Sequence, residues 1–203
     1  MNGFILVNKE SGISSNFVVQ QIKRKIKAQK IGHLGTLDPL ASGLLILAVN
    51  RATKFSSYFL ESDKSYDVEV EFGTSTDTDD STGKIIYKSN DYPNKTSLKN
   101  HLESFIGESM QIPPFFSALK HKGKPLYKYA RRGEFISKPP RKISVNCIEN
   151  FDLNNKVCSF RIYCSKGTYI RSIARDLGKK LGCGAHMKSL IRLSQGNFNI
   201  SDA

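Results

Sequence analysis

Gly32-His33-Leu34-Gly35-Thr36-Leu37-Asp38-Pro39-Leu40-Ala41-Ser42-Gly43 links an amphipathic helical pattern to the apolar run from Leu44 to Val49. Glycines adopt backbone conformations closed to other residues and let a second backbone or a ligand come close. Pro39 fixes its own φ and biases Asp38 toward an extended conformation. The composition predicts a stiff loop that presents one carboxylate, Asp38, beside one imidazole, His33. A plain turn capped by an Asp-Pro pair is the simpler alternative. It needs fewer of these features than the stretch contains, so it ranks second.

On the N-terminal side, Phe4 to Val7 reads as a strand that ends at Asn8-Lys9 and a turn around Gly12. Ser14-Ser15-Asn16 offers capping oxygens for a helix with Val18, Ile22 and Ile26 on one face. Its other face and its exit are basic (Lys23, Arg24, Lys25, Lys27, Lys30), with no acid from Phe17 to Leu37. On the C-terminal side, Leu44 to Val49 reads as a strand, and a short helix near 53–60 is expected to pack Phe55 and Phe59. From Lys64 to Gly73, Tyr66, Val68, Val70 and Phe72 alternate with Asp67, Glu69 and Glu71, the period of a half-buried strand.

Thr74 to Gly83 is an acidic, Ser/Thr-rich loop, followed by a strand near Ile85 to Tyr87. A helix carrying Leu98, Leu102, Phe105 and Ile106 stops at Gly107. Pro113 to Arg141 is weakly patterned and extended. Ile143 to Ile148 and Cys158 to Cys164 read as a hairpin turning at Asn154-Asn155. A final helix, capped by Thr168, is expected to bury Ile170, Ile173, Ala174, Leu177 and Leu181. This pattern predicts an α+β, or mixed α/β, domain with antiparallel hairpins.

The chain has 203 residues, enough for one sizeable domain. Its 31 Lys and Arg against 18 Asp and Glu give a formal net charge of +13 and a pI near 9.6. Such an excess points to a polyanionic partner, most commonly nucleic acid. No segment pairs a basic face with a broad lipid-seeking face, which argues against a membrane surface. The apolar start Phe4 to Val7 is too short for a signal peptide or a spanning helix, so a cytoplasmic protein, or one of a bacterially derived organelle, is expected.

Four cysteines form no C-x-x-C pair. Cys147, Cys158 and Cys164 lie in strand-like apolar runs and read as small hydrophobes. Cys183-x-x-His186 is half a metal site with no second half, so no metal is expected. From Lys120 to Lys142 there are nine Lys or Arg and one acid, Glu134, interleaved with Tyr127, Tyr129 and Phe135. Such a stretch suits either a surface that tracks a nucleic-acid backbone and stacks on bases or a solvated loop. Its candidate RNA contacts are Lys122, Lys124, Arg131 and Arg132.

Gly32-His-Leu-Gly-Thr-Leu-Asp-Pro-Leu-Ala-Ser-Gly43 resembles the catalytic motif of the TruB family of tRNA pseudouridine synthases, whose aspartate is the nucleophile. Asp63-Lys64-Ser65-Tyr66 resembles the segment whose tyrosine stacks on a flipped base. Cys164-Ser-Lys-Gly-Thr-Tyr-Ile-Arg171 resembles the segment whose arginine pairs with the catalytic aspartate. Gly182 to Leu193 resembles the stretch that closes the uridine pocket, and Pro113 to Lys120 with Gly133 fits the central segment. The resemblance runs from about Phe4 to about Gly196. It implies catalytic roles for Asp38, Tyr66 and Arg171, and substrate contacts for Lys9, His33, Tyr169 and Leu190. Glu10 departs from the usual proline at a peripheral place.

The resemblance also implies a pseudouridine-synthase-like catalytic domain over 1–203, its mixed, largely antiparallel sheet flanked by helices. No C-terminal RNA-binding domain of the kind usual in bacterial members is expected. The implied reaction isomerises the T-loop uridine of tRNA, position fifty-five, to pseudouridine. Uracil is its own leaving group and returning nucleophile, so no cofactor is expected. The expected partner is the tRNA T-arm, without guide RNA or an obligatory protein.

The residues fit that chemistry on their own terms. A base must leave its stack before an enzyme reaches its ring, and Tyr66 can cover the face so exposed. His33 could fill the vacated space or stack on a neighbour; a core or capping histidine is the alternative. A guanidinium keeps a carboxylate ionised and oriented. Arg171, in a helix's first turn, sits where the dipole disfavours a cation and so calls for an anion, Asp38 or a phosphate; an arginine exposed on a frayed turn is the alternative. Asp38 has three roles open to it: attack at C6, attack at C1′, or abstraction of a sugar proton. The competing function is an RNA-binding or tRNA-folding factor without chemistry, which would not need Asp38, Tyr66 and Arg171 together.

Overall fold

A computed structural model describes residues 1–203. Strand β1 (Gly3–Lys9) leads into helix α1 (Ser15–Lys25). The Ser14 hydroxyl accepts from Phe17 N at 3.1 Å and caps the helix. β2 (Ile31–His33) and β3 (Ser42–Val49) flank the Asp38 loop. A 3₁₀ turn (Asn50–Phe55) runs into α2 (Ser56–Leu60), which buries Phe59 but leaves Phe55 62% exposed. The expected helix thus packs one of its two phenylalanines.

β4 (Lys64–Phe72) follows the alternation of its sequence: Tyr66, Val68, Val70 and Phe72 are buried. The acidic loop begins as β5 (Thr74–Thr76) and pairs with β6 (Ile85–Lys88). Helix α3 (Lys95–Glu103) buries Leu98 and Leu102, with Phe105 just beyond it; Ile106 turns out to solvent. β7 (Gly107–Gln111) continues directly.

The weakly patterned segment holds a two-residue hairpin, β8 (Lys120–His121) with β9 (Lys124–Pro125), and a short helix α4 (Leu126–Ala130). β10 (Arg141–Asn154) and β11 (Val157–Cys164) form the expected hairpin, with Asn155 in a left-handed conformation at the turn. Cys147, on β10, is half-buried rather than a core residue.

Helix α5 (Ile170–Lys180) starts two residues after Thr168, with Tyr169 at the N-cap position and no side-chain cap. The Thr168 hydroxyl instead donates to Ser165 O at 2.9 Å, so the expected cap belongs to the preceding turn. Ile170, Ile173, Ala174 and Leu177 are buried as expected, and Leu181 partly so. β12 (Ala185–Gln195) and β13 (Phe198–Asn199) close the fold.

The main sheet has the order β1-β3-β12-β4-β11-β10-β7, with β2 beside β3 and β13 beside β12. Every pair in it is antiparallel except β3 with β12. One large core packs α1, α3 and α5 against one face; a smaller one, with Leu34, Leu44, Ile46 and Phe59, lies on the other. β3 is buried on both faces, as its unbroken apolar run requires. β12 lies between β3 and β4, and therefore beneath the loop that carries Asp38 and beside the strand that carries Tyr66.

Candidate active site

The Asp38 loop is tied down from several sides. Asp38 O accepts from Ala41 N at 3.0 Å, closing a turn with Pro39 at its second position. Ser15, freed from capping by Ser14, exchanges two hydrogen bonds with the Leu37 backbone at 2.8 and 2.9 Å. Gly12 N donates to Pro39 O at 2.7 Å, and the Ser11 hydroxyl to Leu40 O at 2.6 Å. The carboxylate therefore stands on a rigid frame built by the turn between β1 and α1.

Lys9 belongs to the same frame. It is 1% exposed, and its ammonium donates to Glu10 O, Ile13 O and Pro39 O. That placement corrects the expectation of a substrate contact: a lysine closed over by three carbonyls has no donor left for a phosphate. Burial pulls it down to about 8, against the pull of Asp38.

Arg171 lies in the first turn of α5 and is buried. Its Nε is 2.8 Å from Asp38 Oδ2, so the helix-start arginine does have its anion. Nη1 donates to Thr78 O at 3.0 Å and Nη2 to Phe116 O at 2.9 Å. A second carboxylate, Asp80, stands behind it, Oδ2 3.7 Å from Nε. Asp80 is itself buried and fixed: Oδ1 accepts from the Thr78 hydroxyl, the Thr82 hydroxyl and Thr82 N. The sequence predicts only a loop for that stretch. Its clustered Thr, Ser and Asp signalled local hydrogen bonding, but not which carboxylate turns inward.

These groups open on a cavity of about 310 Å³. Asp38 is the only carboxylate lining it, against Lys64, Arg141, Arg171 and Arg192. Tyr66, Tyr169, Leu190 and Met187 supply the apolar wall. Burial pushes the Tyr66 hydroxyl up to about 12, with the Arg192 guanidinium the first influence against it. Burial and Arg192 together pull Lys64 down to about 8. Tyr169 is held through its backbone by both amide atoms of Gln111, and the Arg141 guanidinium lies 4.5 Å from its ring centroid.

The cavity thus brings together Asp38, Tyr66, Arg171, Tyr169 and Leu190. His33 does not line it. It ends β2, half-buried, with Nδ1 buried and unpartnered and its pKa lowered chiefly by burial. Lys122, Lys124, Arg131 and Arg132 also lie outside the cavity, all exposed on the β8–β9 hairpin and after α4. Residues that sequence reading passed over are Asp80, Lys64, Arg141 and Arg192. No group of three or more His, Cys, Asp or Glu is placed to hold a metal ion, and His186 Nδ1 is engaged by Thr74. No helix is long and apolar enough to cross a membrane.

Residues 23–170 match the family model described as TruB family pseudouridylate synthase, N-terminal domain; residues 171–203 match that of the tRNA pseudouridylate synthase B C-terminal domain. The boundary between the two falls inside α5, and the second supplies the mid-sheet strand β12. The tRNA pseudouridine synthase B of Francisella philomiragia is 47% identical over 100% of this chain and 68% of its own length. That of Blochmanniella floridana is 48% identical over 98% of this chain and 78% of its own.

Among solved structures, a Cbf5-Nop10-Gar1 complex matches at 30% identity with a TM-score of 0.75, over 97% of this chain and 50% of the other. An H/ACA RNP bound to a substrate RNA containing 2′-deoxyuridine matches at 27% with a TM-score of 0.72, over 97% and 48%. The chain spans about half the length of those two. A mixed sheet that sets one paired aspartate against a buried tyrosine, together with these matches across its length, leaves one assignment: the chain belongs to the TruB family of pseudouridylate synthases.

Proposed function

We propose that this isomerase converts a uridine in the T-loop of tRNA to pseudouridine, with Asp38 as the reacting carboxylate. The observation that carries the reading is the charge pattern of the cavity, one carboxylate among four basic side chains. A flipped nucleotide brings at least one phosphate, which Lys64 and Arg141, the two basic side chains of the cavity that are not closed off by burial, can receive. Its base needs a stacking face, which Tyr66 offers from the edge of the core. The nucleotide must meet a group able to act on C6 of the base, on C1′ of the ribose or on a sugar proton, and Asp38 is the only carboxylate lining the cavity to do so. The N1–C1′ bond breaks, uracil turns, and C5 joins C1′ and releases its hydrogen as a proton while N1 takes one up, so the product is an isomer; Arg171 provides Asp38 with a fixed counter-charge throughout.

The tRNA assignment is supported by the names of the curated relatives, whereas one solved neighbour is an H/ACA RNP bound to a substrate RNA and another a Cbf5-Nop10-Gar1 complex. A protein that works without guide RNA should act on bare tRNA. Incubation with an unmodified transcript and mapping of pseudouridine tests this. Modification at the T-loop uridine is expected, and binding without modification would favour an RNA-folding factor instead.

A further inference from the structure

Arg192 is the largest fully buried side chain in the molecule, and no carboxylate lies within 4 Å of it. Burying a guanidinium without a counter-ion is costly, so its surroundings must use it. It projects from β12, where it stands in register with Tyr66 on one side and Gly43 on the other. Directly opposed residues share a sheet face, which sets the Arg192 and Tyr66 side chains next to each other. Gly43 makes room for the close strand contact: a Cβ there would fall 2.3 Å from Arg192 O.

The guanidinium then reaches beneath the Asp38 loop. Nε donates to Leu44 O at 2.7 Å, after the loop, and Nη2 to Gly35 O at 3.1 Å, before Asp38. Gln195, also on β12, donates from Nε2 to Leu34 O and to Phe59 O. Gly35 has φ +135°, and a Cβ on it would press on Gln195 Oε1 at 3.2 Å and Arg192 Nη1 at 3.3 Å. Two side chains of one rigid strand thus hold the carbonyls of the loop, and the longer one also lines the cavity with Tyr66 and Asp38.

We propose that Arg192 is a positioning residue for isomerisation: it clamps both ends of the Asp38 loop to the strand beside Tyr66 and so fixes the carboxylate relative to the stacking ring. Arg171 orients the carboxylate from α5, and Arg192 sets the height of the loop from β12. A planar fork spanning two carbonyls does this; a single ammonium cannot reach both with the same geometry. The role rests on Asp38 being the reacting group.

The test uses Arg192→Lys and Arg192→Met in the full chain, with single-turnover isomerisation at saturating enzyme, tRNA affinity and a thermal melt. Displacing a catalytic group by about 1 Å costs on the order of 100-fold in rate, and a loss of that order is expected in both variants with tRNA affinity unchanged. Should the Met variant not fold, the Lys variant, which keeps the charge, decides. A parental rate in the folded variants, or a loss that merely follows weaker tRNA binding, overturns the role of Arg192 alone. A parent protein that modifies no uridine overturns it together with the functional reading.

Discussion

Arg171 and Asp38 meet with Nε 2.8 Å from Oδ2, yet their environments are unequal: the arginine side chain is 5% exposed and the aspartate 35%. The cation is walled in by two carbonyls and Asp80, while the anion keeps an open side toward the cavity. A pair built only for stability would be closed on both sides. Here the arginine is the fixed member, and the aspartate is left open to the cavity, as the proposed role for Asp38 requires.

Asp38→Asn is therefore expected to abolish isomerisation and leave tRNA binding nearly intact. Affinity for RNA comes mainly from phosphate contacts and stacking, to which this carboxylate adds repulsion. Pseudouridine mapping alongside a filter-binding titration reads both quantities. Near-parental turnover would remove Asp38 from the reaction.

Arg171→Met strands Asp80, which is buried and has no other cation within 4 Å. Removing one partner of a buried pair costs about 3–5 kcal/mol, chiefly through the uncompensated charge left behind. The double change Arg171→Met with Asp80→Asn should recover part of that loss, because it removes the stranded charge. Denaturant unfolding of the three variants checks it; a double variant no more stable than Arg171→Met would show that Asp80 does not respond to the arginine.

Binding should weaken as salt rises, with the basic hairpin as one source of the slope. Lys122, Lys124, Arg131 and Arg132 are exposed, and Arg131 lies 5.4 Å from the Tyr127 ring centroid. Each neutralised phosphate contributes about 0.9 to the slope of log affinity on log salt for duplex and about 0.7 for single strands. Changing all four to glutamine should make the slope shallower by about three units. An unchanged slope would mean that this face meets only solvent.

What could be read from the sequence was what depends on near neighbours along the chain. Gly, Pro and Asp chemistry announced the Asp38 loop, and strict alternation announced β4 with Tyr66 on its inner face. β12 escaped because register shifts fall at Lys188 and Leu193, so its burial never settles into a period of two. β7 escaped because it is a short strand at the end of the sheet with few buried residues. The inward turn of Arg192 is set by carbonyls distant in sequence, those of Lys9 and Asp80 by local partners together with Pro39 and Arg171, and a charged letter in isolation reads as surface. The start of α5 shifted because Thr168 found an acceptor in its own turn before it could cap.

Tyr66→Phe separates ring from hydroxyl. The ring is buried in the core beside Val68 and must stay for the strand to pack and for a base to stack. Phenylalanine keeps both, so the variant should fold and bind tRNA. The hydroxyl has two separable consequences. In the reaction, it lines the cavity beside Arg192 and can take or hold a proton, so single-turnover isomerisation should fall sharply, and Tyr66→Leu further still. In stability, burial holds the phenol near 12 in the folded chain against 10 in the unfolded one. Below pH 10 both states keep the proton and the group adds no pH dependence. Between 10 and 12 the unfolded chain releases it first, so the parent loses stability as pH rises, and the Phe variant should lose less over that window. Unfolding at pH 9 and pH 11 measures the difference between the two proteins. Equal losses would place the hydroxyl in water, and parental turnover by the Phe variant would leave Tyr66 as a stacking platform alone.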